Sequence, residues 1–384
     1  MYSTAMHSTI IGSLNEVSSN EWNALHGTQV PFLRHEFLNA LEKHHCVGKA
    51  TGWIPQHILL YEDKTLLGAV PQYLKTNAYG ELVFDWAWAE AYQRNGLDYY
   101  PKLVVAIPYT PASGPRLLIA PHTDRDKISA QLIQCALEYA RQYKVSSLHY
   151  LFPHQDDLHQ LTQQGLLPRL GCQFHWHNLP STENYRDFDD YLDCFTSRKR
   201  KKIRRERRAV TEAGITLQRL YGNELSDEQW QAVHRHYCST FDRLSGYATL
   251  SLGFFREISR TLPRQLIVIL AEHQGNTVAS AICFRDDTTL YGRHWGCDAH
   301  FQNLHFEACY YQGLEYCIEH HLQCFDPGAQ GEHKISRGFL PAATWSAHWI
   351  AEPRFRAAIA DFLQKETEGI QNYIDGLHKH SPFK

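Results

Sequence analysis

The densest run of chemistry-bearing side chains is Phe325-Asp326-Pro327-Gly328-Ala329-Gln330-Gly331-Glu332-His333-Lys334, continuing to Arg337-Gly338-Phe339-Leu340-Pro341. Its glycines let the backbone turn tightly and approach a bound group closely. Glu332, His333 and Lys334 offer a base, a proton carrier and a cation, and Arg337 offers a second cation. A turn carrying solvated charges has the same composition, so spacing alone leaves both readings open.

Other stretches could contribute to a site. Tyr291 and Arg293 end an expected strand and could line the same cleft. Glu307 lies four residues before Tyr311 at the flank of an amphipathic helix, where an acid could face a ligand. His175 and His177, two apart on an expected strand, point the same way. That is the geometry of a metal pair, but no third ligand stands out in the neighbouring sequence, and no metal is expected. Between Arg198 and Arg208, nine of eleven residues are basic. Such a density repels itself unless something anionic meets it, and phosphate binding through Arg198, Arg200, Lys201 and Arg204 competes with a merely solvated helix face. Tyr79 to Ala89 carries four aromatics, Trp86 among them, and two carboxylates. A core strand explains the aromatics, while Glu81 and Asp85 need partners or solvent. Pro108 to Arg116 has three prolines and a glycine and must be a rigid, shaped loop.

These stretches are positioned by two series of similar elements. His57–Tyr61, a charged turn and Thr65–Leu74 read as strand, turn and strand, with Pro71 demanding an edge or a bulge. Helices are expected near 19–24, after Pro31, over 126–143 and over 353–377, the last packing through Phe355, Ile359, Phe362 and Leu363. Strands are expected over 146–151 and 169–177. Leu179 to Asp190 reads as the connection between halves. The second half then repeats strand, turn, strand, turn and strand over 266–295. A helix over 303–322 follows, burying Phe306, Cys309, Tyr310, Gly313, Leu314 and Cys317. A short strand at 323–325 feeds the glycine-rich stretch.

Composition sets the outer bounds. A chain of 384 residues, 43% hydrophobic and 12% aromatic, is long enough for two domains with real cores. A net charge of -3 argues against a general nucleic-acid binder. The ten cysteines form no CxxC pair and sit mostly in apolar runs, which favours a reducing compartment. The start lacks the order of a signal peptide, and no run of 18 apolar residues occurs, so cytoplasmic residence without stable membrane insertion is expected.

The sequence resembles the FemAB-like branch of the GNAT N-acetyltransferase superfamily, and within it an uncharacterised bacterial family of peptidoglycan biosynthesis or recognition proteins. The segments that carry the resemblance include Gly52-Trp53, Tyr79-Gly80-Glu81 through Trp88, Tyr99-Tyr100-Pro101-Lys102-Leu103 and Gly114-Pro115-Arg116-Leu117-Leu118. In the second half they include Ser197 to Lys201, Tyr291-Gly292-Arg293-His294-Trp295-Gly296, Leu304-His305-Phe306-Glu307 and Gly328 to Lys334. The resemblance implies a mixed α/β (α+β) fold of tandem GNAT-like domains, each a bent mixed sheet flanked by helices. The expected spans are 10–180 and 185–384, the second carrying the glycine-rich motif. The Fem enzymes move an amino acid from aminoacyl-tRNA onto a peptidoglycan precursor, using a cleft made largely by both domains and a late lysine that Lys334 matches in position and context. They have no motif quite like Gln330-Gly331-Glu332-His333. Neither half shows the pyrophosphate loop of acetyl-CoA enzymes in clear form. The donor stays open between aminoacyl-tRNA and acyl-CoA, and no permanently bound cofactor is expected.

Under this resemblance the chain is expected to be an N-acyltransferase acting on an amine of a cell-wall precursor or related small molecule. Transfer needs a neutral amine, an oriented carbonyl and a stabilised oxyanion. Glu332, His333 or Glu307 would accept the proton. Lys334 and Arg337 would neutralise developing or phosphate charge. Gly328 and Gly331 would turn backbone N–H groups toward the reaction, with Tyr291, Arg293, Trp86 and Arg116 as further binding residues. The basic run would meet the phosphates of a large donor such as a tRNA end, or of a nucleotide-linked precursor. The alternative is a non-catalytic protein that binds a peptidoglycan precursor or another phosphate-containing ligand.

Overall fold

The computed structural model describes residues 6–179, 184–243, 246–329 and 331–384. Gln330 of the glycine-rich stretch and residues 180–183 of the expected connection lie outside the described residues. The strands in chain order are β1 (Met6–Ile11), β2 (Trp53–Pro55), β3 (His57–Glu62), β4 (Thr65–Val70), β5 (Gln72–Lys75), β6 (Lys102–Val105), β7 (Leu118–Ile119), β8 (Ser147–Leu151), β9 (Leu167–His177), β10 (Ile215–Tyr221), β11 (Leu266–His273), β12 (Asn276–Arg285), β13 (Thr289–Cys297), β14 (Cys324–Asp326) and β15 (Leu340–Ile350).

Two compact units form: Met1–Cys172 with Ala343–Tyr373, and Gln173–Ala342 with Ile374–Lys384. The sequence expectation used continuous spans of 10–180 and 185–384; the segment Ala343–Tyr373 lies with the first unit. Burial accounts for this placement. Ile359 and Leu363 of the helix Pro353–His378 pack with Trp88, Tyr92 and Tyr99 in one apolar cluster. Phe362, expected on that packing side, is exposed instead.

In the first unit a four-stranded sheet runs β1-β3-β4-β7, and a second series runs β15-β8-β6-β5-β2. The long strand expected over 65–74 breaks at Pro71, which has no N–H for a ladder. The chain there passes from β4 in one series to β5 in the other. The core strand expected across Tyr79–Ala89 does not form. Its second half is the start of the helix Trp86–Arg94, in which Trp88 and Tyr92, four apart, share the buried face.

The second unit carries β10-β11-β12-β13-β14, continued by the C-terminal part of β9. The two units show the same succession of pairing senses. β2–β5 and β5–β6 are antiparallel, β6–β8 parallel and β8–β15 antiparallel. Likewise β11–β12 and β12–β13 are antiparallel, β13–β14 parallel and β14–β9 antiparallel. Each parallel pair needs a crossover. The helix Arg125–Gln142 lies between β6 and β8 in sequence, and the helical run over 304–319 lies between β13 and β14. The chain is thus a mixed α/β fold.

That second run contains a π-helical turn, Glu307–Tyr311. The wider turn brings Glu307 and Tyr311, expected at the flank, into the buried set. Leu314, Cys317, Phe325 and Phe339 close the core below it.

Candidate functional site

Within the second unit β13 and β14 pair over only three positions, Thr289↔Cys324, Leu290↔Phe325 and Tyr291↔Asp326. Pro327 follows and cannot extend the ladder. Gly292 lets the strands stay close at the fork: a Cβ there would lie 3.3 Å from Pro327 Cα. One residue further the β12–β13 register slips, Ile282 facing His294 and Cys283 facing Gly292. Arg293 is therefore the extra residue of a bulge, a device that re-aims a side chain. Beyond the fork lies a cavity of about 270 Å³, lined among others by Arg293, His294, His305, Tyr310, His333 and Lys334.

Lys334 is buried and lines this cavity; its Nζ is held by loop carbonyls. It donates to Gly328 O at 2.5 Å and lies 3.5 Å from both Pro327 O and Ala329 O. Contacts at 3.5 Å are weak hydrogen bonds, so the Gly328 carbonyl is the principal partner. Burial pulls the ammonium pKa down to about 8, opposed by the Asp326 carboxylate. Gly328 stands at φ +84°, and its N–H donates to Asp326 Oδ1 at 2.8 Å. Gly331, at φ +111°, precedes the short 3-10 helix Glu332–Arg337 that carries Lys334 and His333.

His333 lies on the exposed side of that helix, its Nε2 2.9 Å from the Tyr310 hydroxyl. Partial burial and the nearby Arg337 and Lys334 charges lower its pKa. Burial likewise lowers His305 to about 4 and His294 to about 3. All three imidazoles are neutral near pH 7. Burial also lowers Arg293, to about 10. Glu332 is exposed and does not line the cavity. Among the described residues the lining therefore combines two cationic side chains with neutral imidazoles and no carboxylate.

Three expected site residues are committed elsewhere. Glu307 receives Arg207 at 3.0 Å and Gln312 Nε2 at 2.8 Å. Arg207 in turn bridges to Glu315 at 2.8 Å. Arg337 donates to Glu206 Oε2 at 2.9 Å, Tyr311 Oη at 3.1 Å and His333 O at 3.0 Å, with its guanidinium 3.5 Å from the Phe306 ring centre. It braces the 3-10 helix against the basic helix. Tyr291, expected to line the cleft with Arg293, donates its hydroxyl to Asp286 at 2.8 Å and lies outside the lining. The bulge at Arg293 breaks the strand's alternation between the two residues.

The basic run forms the helix Ser197–Glu212, with Ile203, Glu206 and Val210 buried. Its charges divide by face. Arg200 pairs with Asp193 at 2.8 Å, Arg204 with Asp189 at 2.9 Å, and Arg207 with the two glutamates. Arg198, Lys201, Arg205 and Arg208 follow helical spacing along another face. They are exposed and have no acidic partner among the described residues.

Trp86 and Arg116 belong to the first unit. Trp86 is 63% exposed beside Phe84. Arg116 is wholly buried and donates to the carbonyls of Leu151, Ala112 and Pro115. It locks the proline-rich loop. Glu81 and Asp85 find the partner that burial demands in Lys102, 2.8 Å from Glu81 and also paired with Asp85. Tyr99 donates to Asp85 at 2.5 Å. Burial lowers the neighbouring Lys75 to about 7.

The structure also gives the His175–His177 pair a third neighbour. Cys324 lies opposite His177 across the β14–β9 ladder, and one ligand atom from each of the three residues falls within 4.8 Å of the others. A pairing between strands so distant in sequence cannot be read from local spacing. The same holds for His294 on β13 and for His305 and Tyr310 on the helical run over 304–319, which converge on the cavity. In the sequence His294 and His305 stand out only as members of the segments that carry the resemblance, and Tyr310 only as part of a buried helix face.

The match to known proteins settles the class. Residues 13–384 match the FemAB-like family model, described as peptidoglycan biosynthesis/recognition, and the chain belongs to that family. Among curated proteins none matches the chain. The crystal structure of FemX is 12% identical and superposes with a TM-score of 0.52, covering 92% of this chain and all of that one. A conserved protein of unknown function from Bacteroides thetaiotaomicron is 9% identical with a TM-score of 0.53, covering 90% of this chain and all of that one. At these identities the likeness concerns the fold.

Proposed function

We propose that the chain is an N-acyltransferase whose reaction centre is the cavity beside Lys334, and that its acceptor is an amine of a cell-wall precursor or related small molecule. The observation that carries this reading is a buried lysine, held closely by one carbonyl and lining a cavity at the end of a forked strand pair, in a chain of the FemAB-like family. In this reading the acceptor nitrogen attacks the donor carbonyl. The bond from that carbonyl to its carrier breaks, the amine proton passes to His333, and the carrier leaves with a proton from solvent. Lys334 stabilises the oxyanion. His333 is neutral near pH 7, which suits a proton acceptor.

The volume bears on the donor. About 270 Å³ lies below the usual range for a site that encloses a whole drug-sized ligand. It suits an acyl group and the first atoms of its carrier, aminoacyl-tRNA or acyl-CoA, with the rest of the carrier outside. The unpaired basic face of the helix Ser197–Glu212 supplies charge for the carrier's phosphates. The test is incubation with labelled donors of both classes and an amine-bearing cell-wall precursor. Label is expected on the precursor amine. Precursor binding without transfer from any donor would turn the reading to a non-catalytic binding protein.

A further inference from the structure

We propose that His175, His177 and Cys324 form a zinc site with three protein ligands and one open coordination position. The two histidines project from the same face of β9, and Cys324 is the residue of β14 paired directly with His177. One ligand atom from each lies within 4.8 Å of the other two. Zinc bonds of about 2.0–2.3 Å at tetrahedral angles place ligand atoms roughly 3.5 Å apart. The residues therefore need a closure on the order of 1 Å, which side-chain rotation on a fixed strand pair supplies.

The donor set selects the metal class. Two imidazoles and a thiolate suit zinc better than calcium or magnesium, which take oxygen ligands. Binding replaces the Cys324 thiol proton with the metal, and that proton goes to solvent. A carboxylate stands behind the ligands as well. Asp326 is buried, and its Oδ1 lies 3.8 Å from His175 Nε2. Outer carboxylates of this kind orient metal-bound imidazoles. The same oxygen accepts the Gly328 N–H at 2.8 Å. A metal here pins β14 to β9, whose pairing otherwise rests on Cys324↔His177 and Phe325↔Trp176. It thereby fixes the point from which the loop to Lys334 departs. This inference does not depend on the acyltransferase reading.

Cobalt(II) is the spectroscopic probe, added to metal-free full-length protein. One equivalent is expected to give a thiolate-to-cobalt charge-transfer band and tetrahedral visible bands, and one equivalent of zinc should remove both. Cys324→Ser should lose the charge-transfer band. His175→Ala and His177→Ala should each weaken cobalt binding at least tenfold, with circular dichroism confirming the fold of each variant. No thiolate band in the parent protein, or an unchanged band in folded Cys324→Ser, would overturn the assignment. In the second case the metal would sit on another of the ten cysteines.

Discussion

The Lys334 ammonium donates to the carbonyl oxygen of Gly328 at 2.5 Å, so the lysine grips the loop that brings its own helix to the cavity. Gly328 can present that carbonyl because it sits at φ +84°, a backbone region that residues with a side chain rarely enter. A Cβ at this position would also lie 3.2 Å from Gly292 O on the neighbouring strand. One contact thus joins the fork between β13 and β14 to the charge at its opening.

The depressed Lys334 pKa has a consequence for stability. The folded value is about 8 and the unfolded value 10.5, so between these limits the unfolded chain binds more protons. Stability contributed at this position therefore rises with pH through that window. Denaturant unfolding of the parent and of Lys334→Met from pH 7 to 10.5 should show their difference moving in favour of the parent as pH rises above about 8. A difference that does not vary with pH would place the lysine's pKa near its ordinary value.

Proton acceptance should divide between neighbours. His333 lines the cavity and Glu332 does not, so His333→Gln should slow transfer roughly a hundredfold, within the usual range for a general base. Glu332→Gln should slow it less. Raising assay pH should partly restore the His333 variant by supplying neutral amine. Rate against pH for both variants is the measurement.

The Arg337–Glu206 pair is buried on both sides, at 3% and 7% side-chain exposure. Removing one charge strands the other. Glu206→Gln should therefore destabilise the protein by about 3–5 kcal/mol, as breaking buried pairs does. Equilibrium denaturation of the purified variant reads this directly, and a loss below 1 kcal/mol would mean the guanidinium finds solvent.

The two faces of the basic helix should behave differently. Changing Arg198, Lys201, Arg205 and Arg208 to Gln should weaken binding of a phosphate-bearing partner and flatten its salt dependence. Changing Arg200 and Arg204, already paired with Asp193 and Asp189, should do less. A salt series with tRNA and with a nucleotide-linked precursor compares the two sets. Equal effects would assign the whole run to general charge.

Much of this was legible before the structure. The glycine-rich stretch singled out Lys334 and His333 through composition, and both line the cavity; the helix expected over 303–322 showed its buried face through spacing. What local sequence does not give is the partner each charge takes. Arg337, Glu307 and Arg116 look like ligand-binding charges in sequence, but their partners Glu206, Arg207 and the carbonyls around Leu151 are remote along the chain. Tyr291 was misdirected because one extra residue at Arg293 breaks the strand's alternation. Tyr79 to Ala89 satisfied the composition of a strand, while the four-residue spacing of Trp88 and Tyr92 decided for a helix. Cys324 joined His175 and His177 only through a ladder between distant strands.

The central claim is that Lys334 stabilises charge that arises only during acyl transfer. The direct test compares parent protein with Lys334→Ala in transfer of a labelled acyl group to a cell-wall precursor, with circular dichroism confirming equal folding. Loss of one such group typically costs ~3 kcal/mol of transition-state stabilisation, roughly a hundredfold in rate. The expected result is that loss in turnover with acceptor affinity nearly unchanged. A folded Lys334→Ala protein that transfers at the parent rate would contradict the claim.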